Sequence, residues 1–274
     1  LVSGGLTLNN ASSKLLLNSI TVDSVSTSAD SSTGGLDVYN DSTVSSLSVA
    51  HITPVSIASG KTLSGAITVT AGSIKLGEAG TLASMVEMSG GVLDADESLT
   101  VSGALTQSGD TTIDVLDNKT LAYSGAPFSL GANTLTLTGG GTLVSGGLDL
   151  NNADSKLLLN SITVDSVSTT IDNSLGVDVD NDSTITSLSV ANITPVAIAS
   201  GSSLSGGITV SAGSVKLTEV GTLASSVSMS GGTLDADESL AVSGALTQSG
   251  DITIDVADNK TLTYSGAAIS LGAN

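Results

Sequence analysis

The chain of 274 residues contains no cysteine, no tryptophan and no arginine, and it has only one phenylalanine and three tyrosines. Without cysteine it can form no disulfide bond, no thiolate nucleophile and no cysteine-ligated metal site. Aromatic side chains usually supply the large blocks of buried area in a core, and an immunoglobulin-like domain would lack its tryptophan. Leu, Val, Ile and Ala provide nearly all the apolar volume, so the composition predicts a thin core.

Positive charge is also scarce. The chain has 26 acidic and seven basic residues, which gives a formal net charge of −19, and all seven basic residues are lysines. A nucleic-acid backbone or an anionic membrane surface would repel such a chain, so we exclude nucleic acid as a partner. No run approaches the roughly 18 apolar residues of a membrane helix, so we expect no membrane insertion.

An internal repeat dominates the sequence. Residues 6–27, LTLNNASSKLLLNSITVDSVST, recur almost unchanged at 148–169, which is an offset of 142. From Gly35 onward the offset is 141, so one residue is missing from the second copy near positions 31–34. A one-residue loss within a strand would turn its side chains to the opposite face, whereas a loop tolerates it. The sequence therefore predicts a loop at 31–34.

The repeat boundary lies between residues 142 and 143. LVSGG at 1–5 returns at 143–147, and the nine residues TLTLTGGGT at 134–142 separate the two copies. We therefore divide the chain into repeat 1 (1–142) and repeat 2 (143–274), which lacks those last nine residues. This arrangement predicts a longer tandem array, or separate chains that join head to tail.

Short apolar-polar-apolar pieces such as LTL, ITV and LSV recur throughout each repeat and alternate with glycine-containing turns. Period-two alternation predicts strands, and no segment sustains the 3.6-residue period of a helix. Strands this short, with a thin aliphatic core, predict an all-β fold, a parallel β-solenoid (β-helix). With roughly 20 residues per coil, a repeat would make about seven coils and extend about 34 Å. Tandem β-sandwich domains are the alternative.

Two Gly- and Leu-rich segments carry a resemblance to known proteins. SLGANTLTLTGGGTLVSGGLDL at 129–150 and SGAITVTAGSIKLGEAGTL at 64–82 resemble the passenger repeats of autotransporters and filamentous-haemagglutinin-type adhesins. The likeness is compositional and covers most of the chain. It implies a secreted right-handed β-solenoid that acts as an adhesin, surface fibre or biofilm component, located outside the cell or at its surface.

Candidate catalytic residues are few. His51 is the only histidine and is replaced by Asn192 in the second repeat, so a site shared by both repeats cannot use it. The densest acidic group is Asp94, Asp96 and Glu97, and its copy in repeat 2 is Asp235, Asp237 and Glu238. Asp94 and Asp96 flank Ala95, which on a strand places both on the outward face. We interpret them as solvated acids, and we expect no enzymatic activity and no cofactor.

Calcium is the other use for such acids. Asp178, Asp180 and Asp182 alternate along VDVDNDST, and Ca²⁺ prefers six to eight oxygen ligands. In the first repeat Tyr39 replaces Asp180, which weakens the ligand set there. The sequence offers these three residues as a possible calcium site.

Together these features predict a non-catalytic structural protein of an extracellular bacterial fibre, sheath or adhesin stalk. Its repeats would stack end to end, so the main partner is a further copy of itself, with surface glycans or divalent cations as additional partners. The alternative function is a carbohydrate-binding or carbohydrate-active β-solenoid, which would require a groove with convergent acids and aromatic side chains.

Overall fold

A computed structural model describes residues 5–269 of the chain. These residues form 33 β-strands and no helix, so none of them forms a helix that could cross a membrane. The first sixteen strands are β1 Leu6–Leu8, β2 Lys14–Leu17, β3 Thr21–Thr27, β4 Gly35–Val38, β5 Ser42–Val49, β6 Thr53–Ile57, β7 Thr62–Val69, β8 Ser73–Leu76, β9 Thr81–Leu82, β10 Met85–Met88, β11 Val92–Ala95, β12 Leu99–Val101, β13 Leu105–Gln107, β14 Thr111–Val115, β15 Thr120–Tyr123 and β16 Phe128–Ser129.

The second half of the chain contributes the other seventeen strands. They are β17 Thr134–Thr138, β18 Thr142–Val144, β19 Leu148–Leu150, β20 Lys156–Asn160, β21 Thr163–Thr169, β22 Gly176–Asn181, β23 Ser183–Val190, β24 Ile193–Ile198, β25 Ser203–Val210, β26 Ser214–Leu217, β27 Thr222–Leu223, β28 Ser226–Met229, β29 Thr233–Ala236, β30 Leu240–Val242, β31 Leu246–Gln248, β32 Thr253–Val256 and β33 Leu262–Tyr264.

The strands pair in parallel with the equivalent strands of the next coil, so the fold is the predicted β-solenoid. A coil has three sides: β8, β9 and β10 pair with β11, β12 and β13 respectively. The alternative of tandem β-sandwiches is wrong, because sandwich sheets are built from antiparallel strands.

The chain divides into two compact units. Unit 1 comprises residues 5–128 and Thr138–Gly146, and unit 2 comprises Ser129–Leu137 and residues 147–269. One side of the solenoid has six strands in unit 1 (β2, β4, β6, β8, β11 and β14) and seven in unit 2 (β17, β20, β22, β24, β26, β29 and β32). The two units together therefore contain about 13 turns.

The coil length agrees with the roughly 20 residues assumed from solenoids in general. Residues paired on successive coils of unit 1 are separated by between 19 positions, as from Leu36 to Val55, and 22 positions, as from Leu99 to Leu121. The corners between strands absorb this variation, because the strands themselves keep their alternation of buried and outward residues.

The core consists of columns of aliphatic side chains. Ile74, Leu93 and Ile113 are paired on three successive coils, and all three are fully buried. Leu76, Ala95 and Val115 form the neighbouring column and are buried to the same extent. Each coil thus contributes only two inward residues from this side, which explains why a chain with so few aromatic residues has a complete core.

One side of the early coils carries long strands that bend. β5 pairs with β7, where Val44 lies opposite Gly65 and Leu47 lies opposite Ile67, so two residues of β5 face a single residue of β7. This bulge divides the long strand between two sides of the coil. The same irregularity recurs in unit 2 between Ile185 and Leu188, where β23 pairs with β25.

The loop predicted at 31–34 is confirmed, since it lies between the end of β3 at Thr27 and the start of β4 at Gly35. The Oγ atom of Ser31 accepts a hydrogen bond from the Gly34 N–H at 3.0 Å and donates one to the Ala11 carbonyl at 3.0 Å. Unit 2 lacks the counterpart of Gly34, so its loop must close in a different way.

Asn173 closes the shorter loop in unit 2. Its Nδ2 group donates to the carbonyl oxygens of Asn152 and Ser155 at 2.8 and 2.9 Å. Its Oδ1 atom accepts from the N–H groups of Leu175, at 2.9 Å, and Gly176. The amide side chain of Asn173 thus binds backbone groups on both sides of the loop, which is one residue shorter than the loop of unit 1.

Candidate functional site

Lysines and acids on successive coils form pairs on the outer face of the solenoid. Lys75 Nζ lies 2.8 Å from Asp94 Oδ2 and 3.5 Å from Asp96 Oδ2, so one lysine is shared by two carboxylates of the next coil. Asp94 and Asp96 lie outward on either side of the buried Ala95, as predicted. The same group recurs in unit 2 as Lys216 Nζ with Asp235 Oδ2 and Asp237 Oδ2, at 3.6 and 3.5 Å.

The pKa values of this group differ from their ordinary values, mainly because Asp94 is partly buried. Burial raises the pKa of the Asp94 carboxyl, the negative charges of Asp96 and Asp114 raise it further, and the Lys75 ammonium opposes both effects. The hydrogen bond to Asp94 in turn raises the pKa of Lys75. In unit 2, burial and the neighbouring Asp237 raise the pKa of Asp235.

Other lysines make similar pairs between coils. Their shortest N···O distances lie between 2.5 and 2.6 Å, and the pairs are Lys14 with Asp37, Lys119 with Glu97, Lys156 with Asp178, and Lys260 with Glu238. Side chains of these pairs are 20% to 45% exposed, so solvent screens the charges and each pair adds little to stability.

The acids are poorly arranged for glycoside hydrolysis, which needs two carboxyl groups on opposite sides of a bound sugar. Asp94 and Asp96 instead reach the same lysine from one outward face. Two surface pockets, of about 250 and 340 Å³, are lined mainly by Ser, Thr and Gly residues, and neither includes the Asp94 group. The His51 side chain is 40% exposed, with its Nδ1 atom 3.5 Å from Asp30 Oδ1.

The three residues of the possible calcium site have separate partners. Asp178 binds Lys156 at 2.5 Å, whereas Asp180 is exposed and accepts a hydrogen bond from Ser202 through its backbone carbonyl. The Asp182 Oδ1 atom accepts hydrogen bonds from the N–H and hydroxyl groups of Ser203 at 2.8 and 3.0 Å. Across residues 5–269, no group of three or more His, Asp or Glu side chains is placed to hold a metal ion.

The calcium site stays a prediction, with a direct test. Bound Ca²⁺ stabilises the folded state by mass action, so a chelator would then lower the melting temperature. A melting transition that the chelator leaves unchanged would remove Asp178, Asp180 and Asp182 from consideration as ligands.

No family model matches the chain, and no curated protein or solved structure matches it either. The two repeats can nevertheless be compared with each other, position by position. The sequences at 94–115 and 235–256 differ at only two positions, so a difference in sequence explains little of any difference in burial between them. Any large difference in burial between equivalent residues therefore reflects what covers them.

The last described coil is the site where the two repeats differ most. Ile113 and Val115 of β14 are fully buried, whereas their counterparts in β32, Ile254 and Val256, are 42% and 38% exposed. β32 pairs with β29 on one side, and no other strand among residues 5–269 pairs with its other edge. Among residues 5–269, β32 is thus an edge strand whose inward aliphatic side chains are partly exposed.

The sequence contained the signal for this edge, although only the structure locates it. The prediction of head-to-tail joining came from the order of the repeated segments and named no residue at a contact. The exposed positions become recognisable only when the buried positions of repeat 1 are known, because alternation alone marks Ile254 and Val256 as core residues.

Proposed function

We propose that this is a non-catalytic structural protein of an extracellular bacterial fibre, sheath or adhesin stalk, in which repeats stack end to end. The observation that carries the proposal is the parallel stacking of coils in both units, in which the same aliphatic columns run from coil to coil in two repeats of nearly identical sequence. An open edge of a parallel sheet is a template for a further strand, and a stacked repeat covers both its apolar side chains and its backbone groups.

Equivalent positions of the two repeats show how stacking of coils buries aliphatic side chains. Ile20 is 37% exposed, whereas its counterpart Ile162 is 2% exposed. Leu6 is half-buried, whereas Leu148 is fully buried. These aliphatic positions are therefore buried where a coil has neighbours on both sides. End-to-end contact between repeats buries such positions, and burial of about 25 cal/mol per Å² of apolar surface favours it.

The function is mechanical in this proposal. Backbone hydrogen bonds join successive coils along the fibre axis, and the aliphatic columns exclude water from the interior. The acidic surface keeps neighbouring fibres apart at low ionic strength, since the net charge of −19 is unscreened there. Divalent cations and surface glycans are the further partners that such a coat would meet outside the cell. The compositional resemblance to adhesin passenger repeats agrees with this setting.

Electron microscopy of the native material tests the function. We expect unbranched filaments with an axial repeat of about 34 Å, which is about seven coils of ~4.8 Å each. Filaments should separate at low ionic strength and approach one another when Mg²⁺ or Ca²⁺ is added. Native material that consists only of discrete particles would contradict end-to-end stacking, and bundling that ignores salt would contradict the role of the acidic coat.

A variant pair sharpens this test. Val256→Asp places a charge on the open edge, where the side chain is 38% exposed, so the chain should still fold but should no longer form filaments. Met85→Asp is the matched control, because Met85 is 47% exposed on an outward position of β10, in the interior of unit 1. We expect the Met85 variant to keep its filaments, and equal loss in both variants would indicate a general effect of charge.

A further inference from the structure

Six tripeptides of the chain have the pattern Asn-X-Ser/Thr, which is the acceptor pattern for a sugar attached to the asparagine side chain. Their asparagines are Asn10, Asn40, Asn118, Asn181, Asn192 and Asn259. Such matches arise easily in a chain rich in serine and threonine, so the pattern alone selects none of them. A transferase must reach both the side-chain amide and the hydroxyl group two residues later, and the six tripeptides differ in whether these groups are accessible.

Three of the tripeptides have a bonded amide and a buried hydroxyl residue. Asn40 and Asn181 each donate a hydrogen bond from Nδ2 to an asparagine of the preceding coil, at 2.6 and 2.7 Å. Asn192 Nδ2 donates to the Thr169 carbonyl at 3.1 Å. The hydroxyl residues of these three tripeptides are buried, and they are Ser42, Ser183 and Thr194.

The tripeptide at Asn10 lies in a turn of the first described coil. Its Asn10 Oδ1 atom accepts a hydrogen bond from the Ser12 N–H at 3.1 Å, and the Ser12 hydroxyl lies 3.3 Å from the Thr33 hydroxyl. Repeat 2 does not keep this tripeptide, because Asp154 replaces Ser12 there. Both the asparagine and the serine of this tripeptide are therefore engaged.

Asn118 lies in an exposed turn. The N–H group of Lys119 donates to the Leu116 carbonyl at 2.9 Å and closes the turn. The Asn118 Nδ2 group donates to Asp117 Oδ2 at 2.9 Å, and both residues are exposed, so an approaching molecule can replace this bond. The side-chain amide of Asn118 is thus accessible.

The hydroxyl residue of this tripeptide, Thr120, is fixed through its backbone. Its N–H donates to Ser98 Oγ at 3.0 Å at the start of β15. Thr120 is half-buried, and its hydroxyl group makes no hydrogen bond within the part of the chain that the structure describes. The next coil adjoins the same turn, since the Thr142 N–H donates to the Lys119 carbonyl at 2.9 Å. Asn118 is therefore exposed although coils lie on both sides of it.

Backbone geometry alone does not require asparagine in this turn. Asn118 has φ +60° and its copy Asn259 has φ +61°, a left-handed conformation that asparagine adopts more readily than most residues. Serine adopts it at the other two such non-glycine positions of residues 5–269, Ser19 and Ser161, with φ +54° and +57°. The conformation therefore accepts another residue, whereas both repeats have the complete tripeptide Asn-Lys-Thr here.

We propose that Asn118 and its copy Asn259 are N-glycosylation sites. The side-chain nitrogen forms a bond to C1 of a sugar carried by a glycosyl diphosphate. The bond between C1 and the diphosphate oxygen breaks, and the diphosphate leaves with the electron pair. The nitrogen loses one proton to a base of the transferase, which is a separate protein. The inference is independent of end-to-end stacking, because a discrete particle can carry the same sugar.

Mass spectrometry of glycopeptides from the native protein tests the assignment. We expect sugar on peptides that contain Asn118 or Asn259 and none on peptides that contain Asn40 or Asn181. A single added sugar indicates a nucleotide-linked donor and a preassembled oligosaccharide indicates a lipid-linked donor, and either result supports the sites. Native protein without sugar at Asn118, or with equal occupancy at Asn40 and Asn118, would overturn the inference.

Two variants of the full chain, produced in the native cells, provide the matched control. Thr120→Ala removes the acceptor hydroxyl group and should abolish the sugar at Asn118, whereas Thr120→Ser keeps the acceptor pattern and should retain it. The sugar on Asn259 should remain in both variants, which shows that each variant has met the transferase. Circular dichroism checks that both variants fold. A sugar that persists at Asn118 in Thr120→Ala would overturn the inference.

The inference and the proposed function fail in different ways. Native filaments without sugar at Asn118 would overturn the glycosylation sites and leave end-to-end stacking in place. Native material that carries the sugar but consists only of discrete particles would support the glycosylation sites and contradict the fibre.

Discussion

Lys75 Nζ lies 2.8 Å from Asp94 Oδ2 across the boundary between two coils, and Pro54 and Asp114 occupy the paired positions on the coils before and after them. Asp94 therefore has a cation on one side and a second carboxylate on the other. Burial raises its pKa above the ordinary value of 3.8, and the two neighbouring acids contribute in the same direction.

The pH dependence of stability follows from this shift. The folded state binds the Asp94 proton at a higher pH than the unfolded chain, so the contribution of this carboxyl to stability grows as the pH falls through its folded pKa. We expect the wild type to gain stability relative to Asp94→Asn as the pH is lowered from about 7 to about 4. Melting followed by circular dichroism measures it, and Asp235→Asn should change in the same direction.

Lys75 causes a second pH dependence of stability, at alkaline pH. Its folded pKa is raised above 10.5, so its contribution is fully present below that value and is lost as the pH rises through the folded pKa. The wild type should therefore lose stability relative to Asp94→Asn as the pH rises above about 10.5. A difference that stays constant from acid to alkaline pH would contradict the pKa shifts of both residues.

Replacing Asn173 by alanine should destabilise unit 2. The side chain donates two hydrogen bonds to carbonyl oxygens and accepts two from backbone N–H groups, and the residue is 5% exposed. Leaving these groups unpaired should lower the free energy of unfolding by about 2–4 kcal/mol. Chemical denaturation measures the loss.

Ser174→Ala is the control for this substitution. Its hydroxyl donates to the Ala153 carbonyl at 2.8 Å on an exposed loop surface, so we expect a change of no more than about 0.5 kcal/mol. Equal effects of the two substitutions would show that the loop tolerates loss of its amide side chain. That result would leave the shorter loop without a physical explanation.

Two glycines in unit 1 should respond very differently to alanine. Gly65 has φ +125° at the bulge opposite Val44, and an added Cβ would overlap the Val44 carbonyl oxygen. Gly60 has φ +71° and nothing within 4 Å of an added Cβ. Gly65→Ala should cost about 3 kcal/mol or more, since strain and overlap act together, whereas Gly60→Ala should cost about 1–2 kcal/mol from the backbone conformation alone.

The measurement for this pair is the free energy of unfolding in denaturant. A Gly65→Ala protein that does not fold at all would agree with the expected direction, and Gly206→Ala then repeats the test at the equivalent bulge of unit 2. A smaller effect for Gly65 than for Gly60 would mean that the bend of the long strand does not depend on a residue without a side chain.

Much of this fold could be predicted from the sequence, because the signals are local. Alternation marks Ile74 and Leu76 as inward residues and Lys75 between them as outward, and the missing residue near Gly34 identifies a loop. The structure confirms both.

The pairings between coils could not be predicted, because they depend on the length of each coil. Lys75 meets Asp94 after 19 residues, whereas Lys119 meets Glu97 across 22. Coils of variable length align different residues at each turn, and corner geometry decides the register. The role of Asn173 was hidden for a similar reason, since its four partners come together only when the loop has folded.

A matched pair of core substitutions tests whether the end of the described chain is an incomplete core. Ile113 is fully buried, so Ile113→Ala should cost about 2–5 kcal/mol from lost burial and the cavity it leaves. Ile254, its copy in β32, is 42% exposed, so Ile254→Ala should cost less than half as much in the isolated chain. In assembled filaments Ile254 would be covered, so Ile254→Ala should then cost nearly as much stability as Ile113→Ala. Equal effects already in isolated chains would mean that the edge is covered without a partner, and would contradict end-to-end stacking.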